Sequence, residues 1–408
     1  MPSPRAFLRV PRAVSLASVR FARTAVVVGF AAFALALLVV RFVVFPQIES
    51  YRDTLASVLA RQLGQPVEIA ALTTGWDGWN PKLVIEGLRV LDRARAAPTP
   101  LLLLPKVELI VSWTSVPLLE LTLKELIIEG PRLAIRRDRS GVLHVAGIEI
   151  DPAQATDELP ITDWILRQRE IVIRDALILW DDDQRNAPQL VLDRVQFRLE
   201  NRFGHHRFGL KGTPPSELAA PLDLRGDLQF PSLKDWQNAQ GALFVRLDYA
   251  DVAAWREWLP LPGQIVTGTG ALRIWFEFAR QEPIEIIADI ELANVKAKLG
   301  EQLPEIELAH LSGRVGTRKS GTQREVFTRA LAFTTLSGAR LDPTHFMLTL
   351  QRPGDRLEST RIEFDQLQLG PLVALAAHLP LPERIRASWH ESRNSSAPRP
   401  FASTPTPT

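Results

Sequence analysis

Gly270-Ala-Leu-Arg-Ile-Trp-Phe-Glu-Phe-Ala279 and Ile284-Glu-Ile-Ile-Ala-Asp-Ile-Glu-Leu292 decide the fold of this chain. Leu272, Ile274, Phe276 and Phe278 recur at every second position, and so do Ile286, Ala288, Ile290 and Leu292. Side chains alternate across a strand, so each set lies on one face. The connection between them is short, which predicts an antiparallel hairpin.

The same period extends in both directions. Val107, Leu109, Val111 and Trp113 alternate with Glu108, Ile110 and Ser112. Leu121 and Leu123 follow, then Leu126-Ile127-Ile128, a Gly130-Pro131 turn and Leu133-Ala134-Ile135. Further strands are predicted at Val142–Val145, Ile171–Trp180, Leu190–Glu200, Phe208–Lys211, Leu222–Phe230 and Ala242–Tyr249. The last are Glu305–Leu308, Val326–Phe333, His345–Leu350 and Arg361–Leu369, where Ile362 and Phe364 share a face. Short helices are predicted at Thr162–Arg169, Leu233–Ala239 and Val252–Trp258. No strand-helix-strand rhythm appears, so the expectation is a meandering antiparallel sheet and not a doubly wound parallel one. Asp251–Pro262 and Pro371–Pro382 both end in Leu-Pro-Leu-Pro after a strand. This echo predicts an elongated architecture built from repeats.

Ahead of the strands stands Thr24–Phe45, an apolar run interrupted only by Arg41. Arg5, Arg9, Arg12, Arg20 and Arg23 precede it, and the first acidic residue of the chain is Glu49. About 20 apolar residues span a ~30 Å hydrocarbon core. Basic flanks stay cytoplasmic. The run is long, and bulky Phe42-Val-Val-Phe45-Pro46 follows Arg41 where a signal peptidase needs small residues, so an uncleaved signal anchor is expected over a cleaved signal. The predicted organisation is a basic leader at 1–23, a transmembrane anchor at 24–45, a membrane-proximal helix at 46–65, a β region at 66–386 and a Ser/Thr/Pro-rich disordered tail at 387–408. Within Ser50–Leu63, Leu55, Val58, Leu59 and Leu63 share a face, and Ser50 with Asp53 suits a capping box.

Removing the five leader arginines from the 48 basic residues leaves 43 against 46 acidic ones, a net charge of −3. The overall balance is therefore no argument for nucleic-acid binding. The chain has no cysteine, which excludes disulfides, thiolate metal sites and a Cys nucleophile. A basic leader, one anchor, no cysteine and a large remainder suit a bacterial inner-membrane protein with its bulk in the periplasm.

Reactive constellations are absent from the pattern. Asp181-Asp182-Asp183 has no calcium-loop spacing and reads as a solvated turn. His205-His206 lies beside a Gly turn without ligand spacing, and Gly263–Gly270 lacks the Gly-Lys-Ser/Thr of a phosphate loop. Neither HExxH nor GxSxG occurs. Trp76 and Trp79 suit core or membrane-proximal packing. No enzyme, metal or cofactor is expected.

The order of several motifs resembles a known family. These are Trp76-Asp-Gly-Trp-Asn-Pro81, Leu83-Val-Ile-Glu-Gly-Leu88, Pro105-Lys-Val-Glu-Leu109, Leu126-Ile-Ile-Glu-Gly-Pro-Arg-Leu133 and Arg137-Asp-Arg-Ser-Gly141. Pro221-Leu-Asp-Leu-Arg-Gly226, Leu247-Asp-Tyr-Ala-Asp251, Trp258-Leu-Pro-Leu-Pro262 and Gly268-Thr-Gly-Ala-Leu-Arg-Ile-Trp275 continue the series. Together they resemble the YhdP family of the AsmA-like superfamily over roughly residues 20–386. The resemblance implies a mainly β fold: an N-terminal transmembrane helix followed by an elongated, repeat-built β-groove with few short helices. It implies a role in phospholipid transport between inner and outer membrane, with phospholipid acyl chains, the inner membrane and other envelope proteins as partners. The alternative is an assembly factor that offers sheet edges to envelope proteins. Family members are far longer, and here the Ser/Pro tail stands where they continue. The expectation is a truncated product too short to bridge the periplasm.

By pattern alone, Leu272, Ile274, Phe276, Phe278, Ile286, Ala288, Ile290, Leu292, Ile362 and Phe364 could line a closed sandwich core as well as an open trough. The resemblance favours the trough. Acyl chains would then complete the burial, at about 0.8 kcal/mol per CH₂.

Overall fold

A computed structural model describes residues 16–91, 100–115, 121–145, 148–150, 160–230, 237–259, 264–300, 302–351, 359–365, 368, 370–371 and 378. The leader before Leu16, the tail at 387–408 and most of the second Leu-Pro-Leu-Pro unit lie outside these residues.

Helix runs from Leu16 to Leu63 with changes of pitch and no break. α1 (Leu16–Val39) passes through a π turn at Val40–Val44 into α2 (Phe45–Gln47), then a 3-10 turn at Ile48–Tyr51 and α3 (Arg52–Leu63). The expected capping box does not form. Ser50 Oγ donates to the Gln47 carbonyl at 2.6 Å, and α3 has no side-chain cap. The reason is continuity, because the turn before α3 is itself helical and already supplies acceptors for its first N–H groups. Gly64 in the left-handed conformation (φ 67°) ends the helix.

The rest is mainly strand, in one large curved sheet. Its members are β1 (Val67–Glu68), β2 (Ala71–Asp77), β3 (Asn80–Leu91), β4 (Pro100–Val111), β5 (Leu123–Glu129), β6 (Arg132–Arg137), β7 (Leu143–Val145) and β8 (Ile148–Ile150). After α4 (Pro160–Arg167) come β9 (Glu170–Asp182), β10 (Ala187–Arg202), β11 (His205–Thr213), β12 (Leu222–Gln229), β13 (Gln240–Asp251) and β14 (Gln264–Ala279). The last are β15 (Glu282–Lys298), β16 (Ile306–Ser320), β17 (Gln323–Thr335), β18 (Arg340–Gln351) and β19 (Ser359–Phe364). From β9 onward each strand pairs antiparallel with the next.

One step departs from the meander. β5 and β6, kinked apart at Gly130-Pro131, lie between β4 and β9 and run parallel to β9. A parallel neighbour demands a crossover connection, and the chain between β6 and β9 carries β7, β8 and α4. α4 realises the helix predicted at Thr162–Arg169. The helix predicted at Val252–Trp258 is a single 3-10 turn, Ala254–Glu257. That predicted at Leu233–Ala239 lies mostly outside the described residues.

Several strands outrun their predicted bounds. β15 spans Glu282–Lys298 and β16 spans Ile306–Ser320, because bulges shift the register without ending the ladder. Arg194, Asn294 and Ala330 take positive φ at or beside such shifts. A bulge bends its strand and raises the local twist. Gly270 (φ 154°) and Gly313 (φ 130°) serve the same end without a side chain. A Cβ on Gly270 would meet the Glu291 carbonyl oxygen at 2.0 Å, and one on Gly313 the Ala330 carbonyl oxygen at 2.7 Å.

Gly270→Ala therefore forces two paired backbones apart. The expected cost is about 1–3 kcal/mol, read as a lower denaturation midpoint, whereas Gly209→Ala, in ordinary strand conformation with no atom within 4 Å of the added Cβ, should leave the midpoint nearly unchanged.

Candidate functional site

Directly paired residues of neighbouring strands share a face, so the register traces each face across the sheet. One row runs Leu72, Ile85, Val107, Ile128, Ile173, Phe197, Leu210, Leu224 and Val245. It continues through Ile274, Ala288, Val315, Thr328, Phe346 and Phe364. A second row, two residues along each strand, runs Leu83, Leu109, Leu126, Ile171, Leu199, Phe208 and Gly226. It ends in Leu243, Phe276, Ile286, Thr317, Val326, Leu348 and Ile362. An apolar floor thus passes unbroken from β2 to β19.

The predicted residues fall together on it. Leu272 pairs with Ile290, Ile274 with Ala288 and Phe276 with Ile286. Phe276 and Phe278 stack on the same strand, ring centroids 5.7 Å apart. Ile362 and Phe364 end the two rows on β19. Leu292 lies toward one rim, packed against the buried cluster of Val295, Ile306, Leu308, Phe333 and Leu341.

Coverage changes along the floor. Over the first strands, Leu55, Ala56, Leu59 and Leu63 of α3 and Trp164 and Ile165 of α4 pack on Leu72, Ile85, Val107, Leu126, Ile171 and Leu199. This section is a closed core. Gln168, just past α4, seals it: its side chain accepts from Leu123 N at 2.8 Å and donates to the Trp164 carbonyl at 2.6 Å. Among the described residues, the members of the second cluster all lie on strands β15 to β18. From β12 onward none of the floor residues named above is fully buried, most keep a minor part of their surface exposed, and Ile362 and Phe364 are each 50% exposed.

The opposite face mixes charged rows with an apolar one through Phe244, Trp275, Ile287, Phe327 and Met347. Lys211, Asp223, Arg246, Arg273, Asp289, Arg314 and Arg329 form one row. Arg225 contacts Asp223 at 2.7 Å, and Arg314 grips both oxygens of Asp289 at 2.5 and 2.8 Å while lying over the Trp275 ring. Lys106 bonds Glu108, Arg225 bonds Asp223 and Arg314 bonds Asp289, and each holds its partner's carboxyl below the usual carboxylate range.

Two polar motifs differ from expectation. Asp181–Asp183 is no solvated turn: Asp182 is buried and paired with Arg137, and Asp183 with Arg136. The parallel register of β6 with β9 sets these arginines opposite the acids. His206 is buried between the Asn201 side chain (2.7 Å) and the Phe230 carbonyl (3.0 Å). Among the described residues, no group of three His, Asp or Glu side chains could hold a metal ion.

Sequence reading did not find Trp113 against the anchor. Its ring meets Phe33 edge-on at 4.9 Å, while Trp76 lies 5.2 Å from Phe45. Nor did it find Phe203, fully exposed at φ 50° in the β10–β11 turn. Only tertiary proximity or an unusual backbone marks these positions.

Two outcomes follow. Leu123→Ala removes a buried anchor of the covered section and costs about 2–5 kcal/mol, whereas Phe364→Ala costs at most ~0.5 kcal/mol, both read by urea unfolding. The three depressed carboxyls bind protons less readily in the folded sheet than in the unfolded chain. Their contribution is full above the unfolded carboxylate range near pH ~4 and is lost as pH falls through it, so melting temperature drops on acidification from pH 7.

Comparison with curated proteins returns no match. The family model described as YhdP protein matches residues 8–402. Among the described residues, Arg23–Leu63 is the one helix long and apolar enough to cross a membrane. The chain belongs to the YhdP family, whose membership points to an envelope-associated protein.

Proposed function

We propose that this protein holds phospholipid acyl chains along the open half of its apolar floor and passes them away from the inner membrane in which α1 anchors it. The observation that carries this reading is the floor itself. Two mainly apolar rows run from β12 to β19, none of their members fully buried, and the other face of the sheet carries its ion pairs. A partly exposed apolar strip of this extent calls for an apolar occupant. Acyl chains suit it because they are long, featureless and able to slide from row to row, each CH₂ gaining about 0.8 kcal/mol on burial.

In this reading no bond is made or broken. Lipid enters by partition, and the protein is not an enzyme. The arginine-rich leader supports an N-terminus in the cytoplasm and, in this reading, a sheet in the periplasm. A role between inner and outer membrane rests on the family.

A second reading has its own observation. β19 is exposed throughout, and among the described residues no strand pairs on its far side. Such an edge can accept a strand of another envelope protein.

A photoreactive residue replacing Leu243 or Leu348 in the full chain is expected to yield phospholipid adducts in cells. One replacing Arg246, on the opposite face, should yield none. Phe276→Glu with Ile290→Glu should abolish the adducts while the protein stays folded. Protein adducts at Ile362, with no lipid adducts on the floor, would transfer the function to the sheet edge.

A further inference from the structure

Three tryptophans gather where the sheet meets the anchor. Trp76 closes β2, Trp79 lies in the β2–β3 turn, and Trp113 follows β4. All occupy the same end of the sheet, because β2 pairs with β3 from its last residue, Lys82 of β3 pairs with Ile110 of β4, and Val111 pairs with Leu123 of β5.

The depth of the contact matters. Phe33 precedes Arg41 by about two helical turns, ~12 Å at ~1.5 Å per residue. Arg41 keeps its guanidinium at the membrane surface if its stem snorkels. Trp113 touches Phe33 at 4.9 Å. The sheet tip therefore meets the anchor inside the apolar stretch and not only at its exit.

Most described polar groups of the tip are also paired, Trp76 Nε1 being buried without a partner. Hydrocarbon supplies no hydrogen bonds, so polar groups there must satisfy one another. Trp113 Nε1 donates to the Trp79 carbonyl at 2.7 Å. Ser112 N donates to the Thr122 carbonyl at 3.0 Å. The hydroxyls of Ser112 and Thr114 lie 2.8 Å apart, and those of Thr114 and Thr122 3.1 Å apart. Ser115 Oγ donates to the Thr122 carbonyl at 2.9 Å and accepts from Thr122 N at 3.0 Å. The nearby charges, Lys124 and Asp77, are paired at 2.8 Å. Among the described residues of the tip, two large apolar side chains face outward: Trp79 is 75% exposed and Leu121 54%.

We propose that this tip is inserted in the bilayer, in the leaflet on the Arg41 side, with Trp79 and Leu121 facing lipid and Trp113 wedged against the anchor. The occupant of this surface is the membrane, because the surface continues a contact with the one helix that can cross it. Insertion would fix the start of the sheet at bilayer level. Lipid could then reach the floor without passing through water. The proposal rests on α1 spanning the membrane, and its test keeps the two apart.

The chain has no cysteine, so single cysteines can carry spin labels. Trp79→Cys and Leu121→Cys test the tip, since the Trp113 bond uses the Trp79 carbonyl and survives the first. Val28→Cys reports the anchor and Thr322→Cys, in the β16–β17 turn, reports water. The full chain is reconstituted in vesicles of phosphatidylethanolamine and phosphatidylglycerol. Collisions with oxygen and with a water-soluble nickel chelate are measured by electron paramagnetic resonance. Insertion predicts that both tip labels resemble the Val28 label, with nickel accessibility several-fold below that of Thr322. Tip labels as nickel-accessible as Thr322, beside a protected Val28, would overturn insertion and leave the anchor standing. A nickel-accessible Val28 label would overturn both.

Discussion

The hydrogen-bonded ladder from β2 to β19 is the constraint on which everything else rests. Side-chain parity is fixed by register, and a slip of one residue would exchange the two faces of a strand. The ladder holds the same parity through every junction, even across the parallel step at β9 and the bulges at Arg194, Asn294 and Ala330. The bulges bend the sheet while the rows stay in line, so curvature and a continuous floor come from one device.

A two-faced sheet needs something on its apolar side. The N-terminal section solves this within the chain, with α3 and α4 over the floor and Gln168 completing the hydrogen bonds beneath them. The later section has a buried rim, the cluster around Leu308, Phe333 and Leu341, while among the described residues its two rows keep partial exposure. The opposite face offsets the exposure, since its ion pairs keep that side wet and soluble.

The helical column from α1 to α3 joins these two roles. Its first part is apolar on all sides and unburied by protein, and its last part supplies the cover of the first core. Because no break intervenes, the apolar helix and the first strands of the sheet are mechanically one. The same continuity removes any use for a cap at Ser50.

The sequence by itself determined the strand period, the two faces of each strand and the long apolar helix, because each depends on the spacing of side chains along a local backbone. The order of motifs determined the family for the same reason. Only the tertiary structure decided the rest. Gly313 and Gly316 hide β16 from any apolar period, yet its neighbours on both sides hold it in the ladder. The placing of Arg137 against Asp182 needs a parallel register set by a distant crossover. That the floor is covered at one end and open at the other depends on where two helices come to rest. No alternation of residues encodes that, because buried and lipid-facing apolar positions look alike until the third dimension shows what lies above them.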